Sequence, residues 1–182
     1  MNNRRNFLKQ ASLASTPFIL PSHIWAAKGD ESPNGRINLA IIGPGKMGRS
    51  HAHMLTRLPR VQVTGFAEIA EVRTRHTKEL IEKQYSKNTP SGNWKGLKIT
   101  KDYLELLEDK SLDAVLIATP DHWHGEPTIR AARAKKHVYS EKPMAVNFSE
   151  GEELLALSKS KGLYIGNAPD TFLGGGIQKS ID

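Results

Sequence analysis

A glycine turn between an apolar run and a helix-like segment constrains the fold of this chain more than any other feature. Residues 37–43 read INLAIIG, a short run of apolar and β-branched side chains that predicts a buried strand. The turn that follows, residues 43–48, has the spacing G-x-G-x-x-G, and residues 46–58 predict a helix that Pro59 ends. In this setting the motif is typical of a dinucleotide-binding strand–turn–helix unit.

Each glycine of the turn has its own steric role. Gly43 permits the tight turn, Gly45 lets the backbone approach a pyrophosphate, and Gly48 lets helix and strand pack closely. We expect the backbone N–H groups of this turn, those of Lys46 and Met47 included, to hold the phosphates together with the helix dipole.

The rest of the chain alternates strand-like and helix-like segments. Further strands are predicted at 61–67, 97–100, 113–119, 137–141 and 163–168, and further helices at 71–85, 102–109, 126–136 and 152–161. A capping box of Ser149 and Glu152 is expected to begin the last helix. This rhythm predicts an α/β fold, a Rossmann-type doubly wound parallel sheet with both faces covered.

An acidic residue follows the second predicted strand. Glu68 lies twenty residues after Gly48, where a carboxylate can accept hydrogen bonds from the adenosine ribose hydroxyls and would repel a 2′-phosphate. The cofactor is therefore predicted to be NAD. Arg73 and Arg75 lie near enough to keep NADP open as an alternative.

Polar residues follow three other predicted strands. The fourth strand is followed by TPDHWH at 119–124, the fifth by EKP at 141–143, and the sixth by Asn167, Pro169 and Asp170. Because ligands of parallel sheets bind beyond the carboxyl ends of the strands, we expect these residues to gather at the edge that carries the glycine turn.

Three motifs together resemble a known family. GPGKMGRSH, ATPDHWH and YSEKPMAV are similar to segments of the Gfo/Idh/MocA oxidoreductases, and the resemblance runs from Arg36 to the end of the chain. It implies that Lys142 is the catalytic residue, beside the nicotinamide and the reacting hydroxyl of a sugar or cyclitol, and that Glu141 orients it. It also implies a turn fixed by Pro143 through a cis peptide bond, and a nicotinamide-ribose end lined by Thr119, Pro120 and His124.

Several histidines and a tryptophan admit other interpretations. His122 and His124 lack an obvious third ligand, so no metal site is expected. His51 and His53 fall in the first helix and are interpreted as surface or packing residues. Trp123 fits either an aromatic wall of the sugar pocket or the core.

The amino terminus has the layout of an export signal. Arg4 and Arg5, followed by Phe7-Leu8-Lys9, resemble the twin-arginine signal, which we assign to residues 1–27, with a linker at 28–35. The resemblance implies transport of an already folded, cofactor-loaded protein by the twin-arginine machinery to the periplasm or another extracytoplasmic site. A disordered terminus is the plain alternative. No run approaches the ~18 apolar residues of a membrane span, so no stable span is expected.

Composition excludes several other classes. The 182 residues carry a formal charge of +7, but no block of Lys and Arg with interleaved aromatics predicts a nucleic-acid partner. The absence of cysteine excludes disulfides and cysteine metal sites.

The carboxyl-terminal residues bear on activity. The family resemblance implies a second, antiparallel α+β domain that supplies the substrate pocket, and residues 169–182 are interpreted as its truncated beginning after a dinucleotide-binding domain at 36–168. We therefore expect this chain to bind the dinucleotide, to turn over substrate weakly or not at all, and to be monomeric where the full-length form is oligomeric. A glycoside hydrolase that uses bound NAD for transient oxidation at C3, or a binding module without activity, are the alternative functions.

Overall fold

The computed structural model describes residues 35–168, and its strands form one parallel sheet. In chain order they are β1 (Ile37–Ile42), β2 (Val61–Ala67), β3 (Lys98–Thr100), β4 (Ala114–Ile117), β5 (His137–Ser140) and β6 (Ile165–Asn167). The order across the sheet is β3-β2-β1-β4-β5-β6, and every pairing between neighbours is parallel. This is the doubly wound order of a Rossmann-type fold, so the predicted fold class is confirmed.

Helices connect the strands. They are α1 (Lys46–Leu55), α2 (Glu71–Ser86), α3 (Leu104–Leu107), α4 (Gly125–Arg133) and α5 (Phe148–Lys161), with a short 3₁₀ turn at Asp121–Trp123 before α4. The predicted strands and helices all occur, with ends that differ by a few residues. The first helix, for example, ends at Leu55 and not at residue 58.

The core consists of two apolar clusters, one on each face of the sheet. Along β1, Leu39 and Ile41 belong to one cluster, whereas Ala40 and Ile42 belong to the other. This alternation follows from the two-residue period of a strand. The cluster that contains Leu39 and Ile41 includes side chains of α1 and α2. The cluster that contains Ala40 and Ile42 includes side chains of α3 and α4. Both faces are therefore covered, and the strand ends are left as the place for a ligand.

The capping box predicted for the last helix is wrong. Helix α5 begins at Phe148, and its N-cap is Asn147, whose side-chain oxygen accepts a hydrogen bond from the Glu150 N–H at 2.9 Å. The Ser149 hydroxyl donates to the same oxygen and is already inside the helix. Asn147 takes the cap because its extended backbone and short carboxamide reach the first free N–H groups.

The terminal predictions lie outside the described residues. The signal at 1–27, nearly all of the linker and the segment 169–182 belong to this category, so those assignments stay predictions. Within residues 35–168, no helix has both the length and the apolar character needed to cross a lipid bilayer.

Candidate functional site

A cleft of about 690 Å³ opens at the carboxyl ends of the strands. Residues from the loops after β1, β2, β3, β4 and β5 line it. It spans the point between β1 and β4 where the strand order reverses, which is where open α/β sheets bind their ligands.

The glycine turn leaves room for backbone and for little else. Gly43 has φ of +76°, and a Cβ there would lie 2.8 Å from Thr119 Cγ2. A Cβ on Gly48 would lie 2.9 Å from the Gly43 carbonyl oxygen. Beside Gly45, by contrast, the nearest protein atom would be 4.0 Å away, and Gly45 lines the cleft. Gly43 and Gly48 thus permit close packing within the turn, whereas Gly45, which has no side chain, leaves space in the cleft beside it.

The amino terminus of α1 faces this opening without a side-chain cap. Gly45 is the N-cap residue, and no side chain accepts a hydrogen bond from the first turn. Lys46 and Met47 line the cleft, and the N–H groups of the first helical residues have no partner within the helix. Free N–H groups and the positive end of the helix dipole favour an anion such as a pyrophosphate.

Glu68 is a buried carboxylate at the end of β2. It is 6% exposed, lines the cleft, and its Oε1 accepts a hydrogen bond from the Ala70 N–H at 2.9 Å. Its Oε2 lies 4.0 Å from Nη1 of Arg73, which also lines the cleft. The Ala70 N–H thus holds one carboxylate oxygen in place, and a guanidinium lies near the other. Arg75 is exposed and is not among the residues that line the cleft.

The loop after β4 forms another wall. Thr119 and Pro120 line the cleft, and the Thr119 hydroxyl donates to the Trp123 carbonyl at 2.8 Å. Trp123 is 50% exposed and also lines the cleft, so it is not a core residue. Its position agrees with the alternative of an aromatic wall.

His124 is a buried residue in the wall of the cleft. It is 1% exposed, with Nδ1 at 2.7 Å from the Pro143 carbonyl oxygen and Nε2 at 2.7 Å from the Thr119 carbonyl oxygen. His124 lines the cleft, as the family resemblance implied, and its ring lies between the loop after β4 and the loop after β5. Its contact with a nicotinamide ribose stays a prediction.

The segment after β5 presents Lys142 to the cleft. Its Nζ lies 4.0 Å from Oδ2 of Asp121, and the two side chains are 63% and 68% exposed. Pro143 follows through a cis peptide bond, as the family resemblance implied, and lies outside the cleft lining. The amine is therefore accessible from the cleft.

Glu141 has a partner that the sequence interpretation missed. Its Oε1 lies 2.6 Å from Nε2 of His51, and both side chains are mostly buried. The sequence predicts only a surface or packing residue at His51. The sequence shows only that His51 lies about one helical turn beyond Gly48, which does not identify Glu141, 90 residues away, as its partner.

No metal centre is formed among residues 35–168, where no three His, Asp or Glu side chains converge. His122 is exposed whereas His124 is buried, so the two histidines do not form a pair.

The strand order, the uncapped glycine turn and the buried carboxylate after β2 define a dinucleotide-binding Rossmann domain. The chain belongs to the GFO_IDH_MocA family, described as an oxidoreductase family with an NAD-binding Rossmann fold, whose family model matches residues 37–168.

Individual relatives agree with this assignment. The chain is 31% identical over 125 residues to a myo-inositol 2-dehydrogenase of Thermotoga maritima, covering 68% of this chain and 33% of the relative. It is 23% identical over 124 residues to glycosyl hydrolase family 109 protein 1 of Akkermansia muciniphila, covering 68% and 25%.

A solved structure shares the fold. KijD10, a 3-ketoreductase of Actinomadura kijaniata in complex with NADP, superposes with a TM-score of 0.65 at 26% identity, covering 80% of this chain and 42% of that one. The chain thus spans less than half the length of each of these three proteins.

Proposed function

We propose that this protein is an NAD(P)-dependent oxidoreductase that moves a hydride to or from a hydroxyl-bearing carbon of a sugar or cyclitol. The observation that carries this proposal is the arrangement of one cleft, with a phosphate cradle in the middle, a ribose-binding carboxylate on one side and an accessible lysine on the other.

The order of the strands supports one direction for the dinucleotide. A bound pyrophosphate would be held by the α1 terminus that follows β1, and the adenosine half would be held by Glu68 on the β2 side. Thr119 and Lys142, which line the cleft in the loops after β4 and β5, would then contact the nicotinamide half.

The residues of the chain handle orientation and charge. The nicotinamide, when bound, supplies the hydride chemistry. The ammonium group of Lys142 donates a hydrogen bond to the substrate oxygen and stabilises negative charge that develops there. Its exposed side chain has the freedom to reach that oxygen. The myo-inositol 2-dehydrogenase relative supports a polyhydroxylated substrate.

Binding and turnover are tested in turn. Titration with NAD or NADP should raise the melting temperature, because a ligand that binds only the native state stabilises it by mass action. Lys142→Met should keep most of that shift, because the glycine turn and Glu68 remain to hold the phosphates and the adenosine half. Where the unsubstituted protein oxidises a sugar or cyclitol, Lys142→Met should abolish that oxidation. A melting temperature that neither dinucleotide changes would contradict the proposal.

The hydrolase remains a second candidate because one relative carries a glycosyl hydrolase name. Cleavage of a nitrophenyl glycoside without net NADH formation would favour it. Net NADH formation that depends on a free sugar or cyclitol would favour the oxidoreductase.

We also propose that the protein is exported by the twin-arginine route, on the basis of Arg4 and Arg5 in the sequence. A fusion of residues 1–35 to a folded reporter should reach the periplasm of a bacterial host. Arg4→Lys combined with Arg5→Lys should retain the reporter in the cytoplasm, and unchanged export of that variant would contradict the proposal.

A further inference from the structure

Two histidines from separate parts of the chain contact the residues on either side of Lys142. We propose that His51 and His124 are positioning residues, which hold the turn 141–143 at both ends so that Lys142 meets the nicotinamide half of the dinucleotide. This inference rests on the proposed function, since it needs a dinucleotide in the cleft.

The contact on the amino-terminal side is the pair of His51 and Glu141. The 2.6 Å separation of Nε2 and Oε1 is that of a strong hydrogen bond to a carboxylate, in which the ring N–H donates. The side chains of His51 and Glu141 are only 15% and 11% exposed. Little water therefore competes for this hydrogen bond, which strengthens it. The His51 ring also stands edge-on to Tyr139 of β5, with centroids 6.1 Å apart, which limits its rotation.

The contact on the carboxyl-terminal side is made by His124. Its two ring nitrogens lie 2.7 Å from the carbonyl oxygens of Thr119 and Pro143. With one ring N–H the side chain donates to one of these carbonyl oxygens, and with two it donates to both; in either case the ring lies between the residue that follows Lys142 and the loop that packs against Gly43. The glycine turn, the loop after β4 and the turn 141–143 thus form one series of contacts.

Main-chain contacts complete the restraint and leave the lysine side chain exposed. The Glu141 N–H donates to the Ile117 carbonyl at 2.8 Å, and the Asn167 amide donates to the Glu141 carbonyl at 3.1 Å. The Lys142 side chain is nevertheless 63% exposed. A fixed backbone with a free side chain suits a residue that must meet both cofactor and substrate, because small misplacements of reacting groups are costly.

The two histidines serve only one half of the cleft. The turn 141–143 follows β5, whereas Glu68 follows β2, three strands away in the sheet. Loss of a positioning residue should therefore weaken the contacts of the nicotinamide half and leave those of the adenosine half intact. A variant that merely loosens the fold should weaken both.

The experiment compares NADH with ADP-ribose, which lacks the nicotinamide, as ligands of the 182-residue chain. His51→Leu should weaken NADH binding about tenfold, the effect of losing one hydrogen bond to a buried charge, and ADP-ribose binding by less than about twofold. His51→Gln should recover most of the loss, because its amide N–H donates at a similar reach.

His53→Leu is the matched control. His53 lies two residues further along α1, is exposed, and pairs with Arg57, with Nε2 and Nη2 at 2.8 Å. It should leave both affinities unchanged. His124→Asn, tested in parallel, should reproduce the selective loss wherever circular dichroism shows a native fold.

The results separate the two proposals. A selective loss of NADH affinity in His51→Leu, recovered in His51→Gln, supports the positioning role. Equal losses for NADH and ADP-ribose, or no loss, overturn that role and leave the proposed function standing. If the unsubstituted chain binds neither ligand, the proposed function is itself overturned.

Discussion

At the residue scale, the glycine turn brings neighbouring atoms so close to Gly43 and Gly48 that a methyl group does not fit at either position. Gly43 and Gly48 face each other across the turn, and Gly43 also touches Thr119 of the loop after β4. A side chain at either position would displace backbone, and backbone amides are the groups expected to hold the phosphates.

Gly48→Ala should therefore disrupt dinucleotide binding. The new Cβ would lie 2.9 Å from the Gly43 carbonyl oxygen, so the turn must open. We expect NAD affinity to fall at least about tenfold, as for the loss of a hydrogen bond to a charged group, when measured by calorimetry.

Gly151→Ala is the control for this substitution. Gly151 lies inside α5 with no atom within 4 Å of its added Cβ. Alanine there should raise the free energy of unfolding by about 0.5–1 kcal/mol, because glycine is a poor helix former. Unchanged NAD affinity in Gly48→Ala would refute the role of the turn.

Cofactor preference belongs to this scale too. Glu68→Gln removes the charge that repels a 2′-phosphate while Arg73 stays beside it. The ratio of NADP to NAD affinity should rise about tenfold, as expected for losing one charged hydrogen bond to the ribose and one repulsion. Glu71→Gln, an exposed position in the first turn of α2, is the control. An unchanged ratio in Glu68→Gln would show that the carboxylate does not contact the ribose.

At the element scale, two helices end in the same left-handed geometry with different residues. Helix α4 is followed by Ala134 and then by Lys135, which has φ of +61°. Helix α5 ends at Gly162, with φ of +62°. Glycine adopts this geometry without steric cost, whereas lysine is sterically strained in it.

The two helix ends should respond oppositely to substitution. Lys135→Gly should raise the free energy of unfolding by about 0.5–1 kcal/mol, and Gly162→Ala should lower it by about 1 kcal/mol, because only glycine is unstrained at positive φ. Urea denaturation would measure both changes. Changes of the same sign would contradict this explanation.

Contacts between elements were the least accessible to sequence reasoning. The helix periodicity predicted α5 well, but the choice of Asn147 over Ser149 as its cap depended on backbone geometry. The contact between His51 and Glu141 joins residues 90 positions apart. No local pattern reports such a contact, because it depends on how α1 packs against the far end of β5.

At the scale of the whole molecule, each apolar cluster has a tyrosine packed against it. Burial raises the pKa of Tyr103, which packs on the cluster of α3 and α4, and its hydrogen bond to Glu126 raises it further. Burial also raises the pKa of Tyr85, which packs on the other cluster.

Stability should therefore fall at high pH. A tyrosine whose pKa is raised by folding stays protonated in the native state, while the unfolded chain releases its proton from the ordinary value of 10.0 upward. The contribution of the tyrosine to the free energy of unfolding is complete below pH 10 and is lost as the pH rises above that value. Tyr103→Phe should make the free energy of unfolding less dependent on pH between about 10 and 11. An identical pH dependence in wild type and variant would contradict this assignment.

The sequence alone determined the order of strands and helices, the glycine turn and the acidic residue after the second strand. These features follow from local periodicity and from conformations that only certain residues adopt. Tertiary structure alone decided that His124 faces two carbonyl oxygens, that His51 holds Glu141, and that Trp123 stands in the cleft wall. Those outcomes depend on the packing of distant segments against one sheet, and a contact between distant segments leaves no periodic trace in the chain.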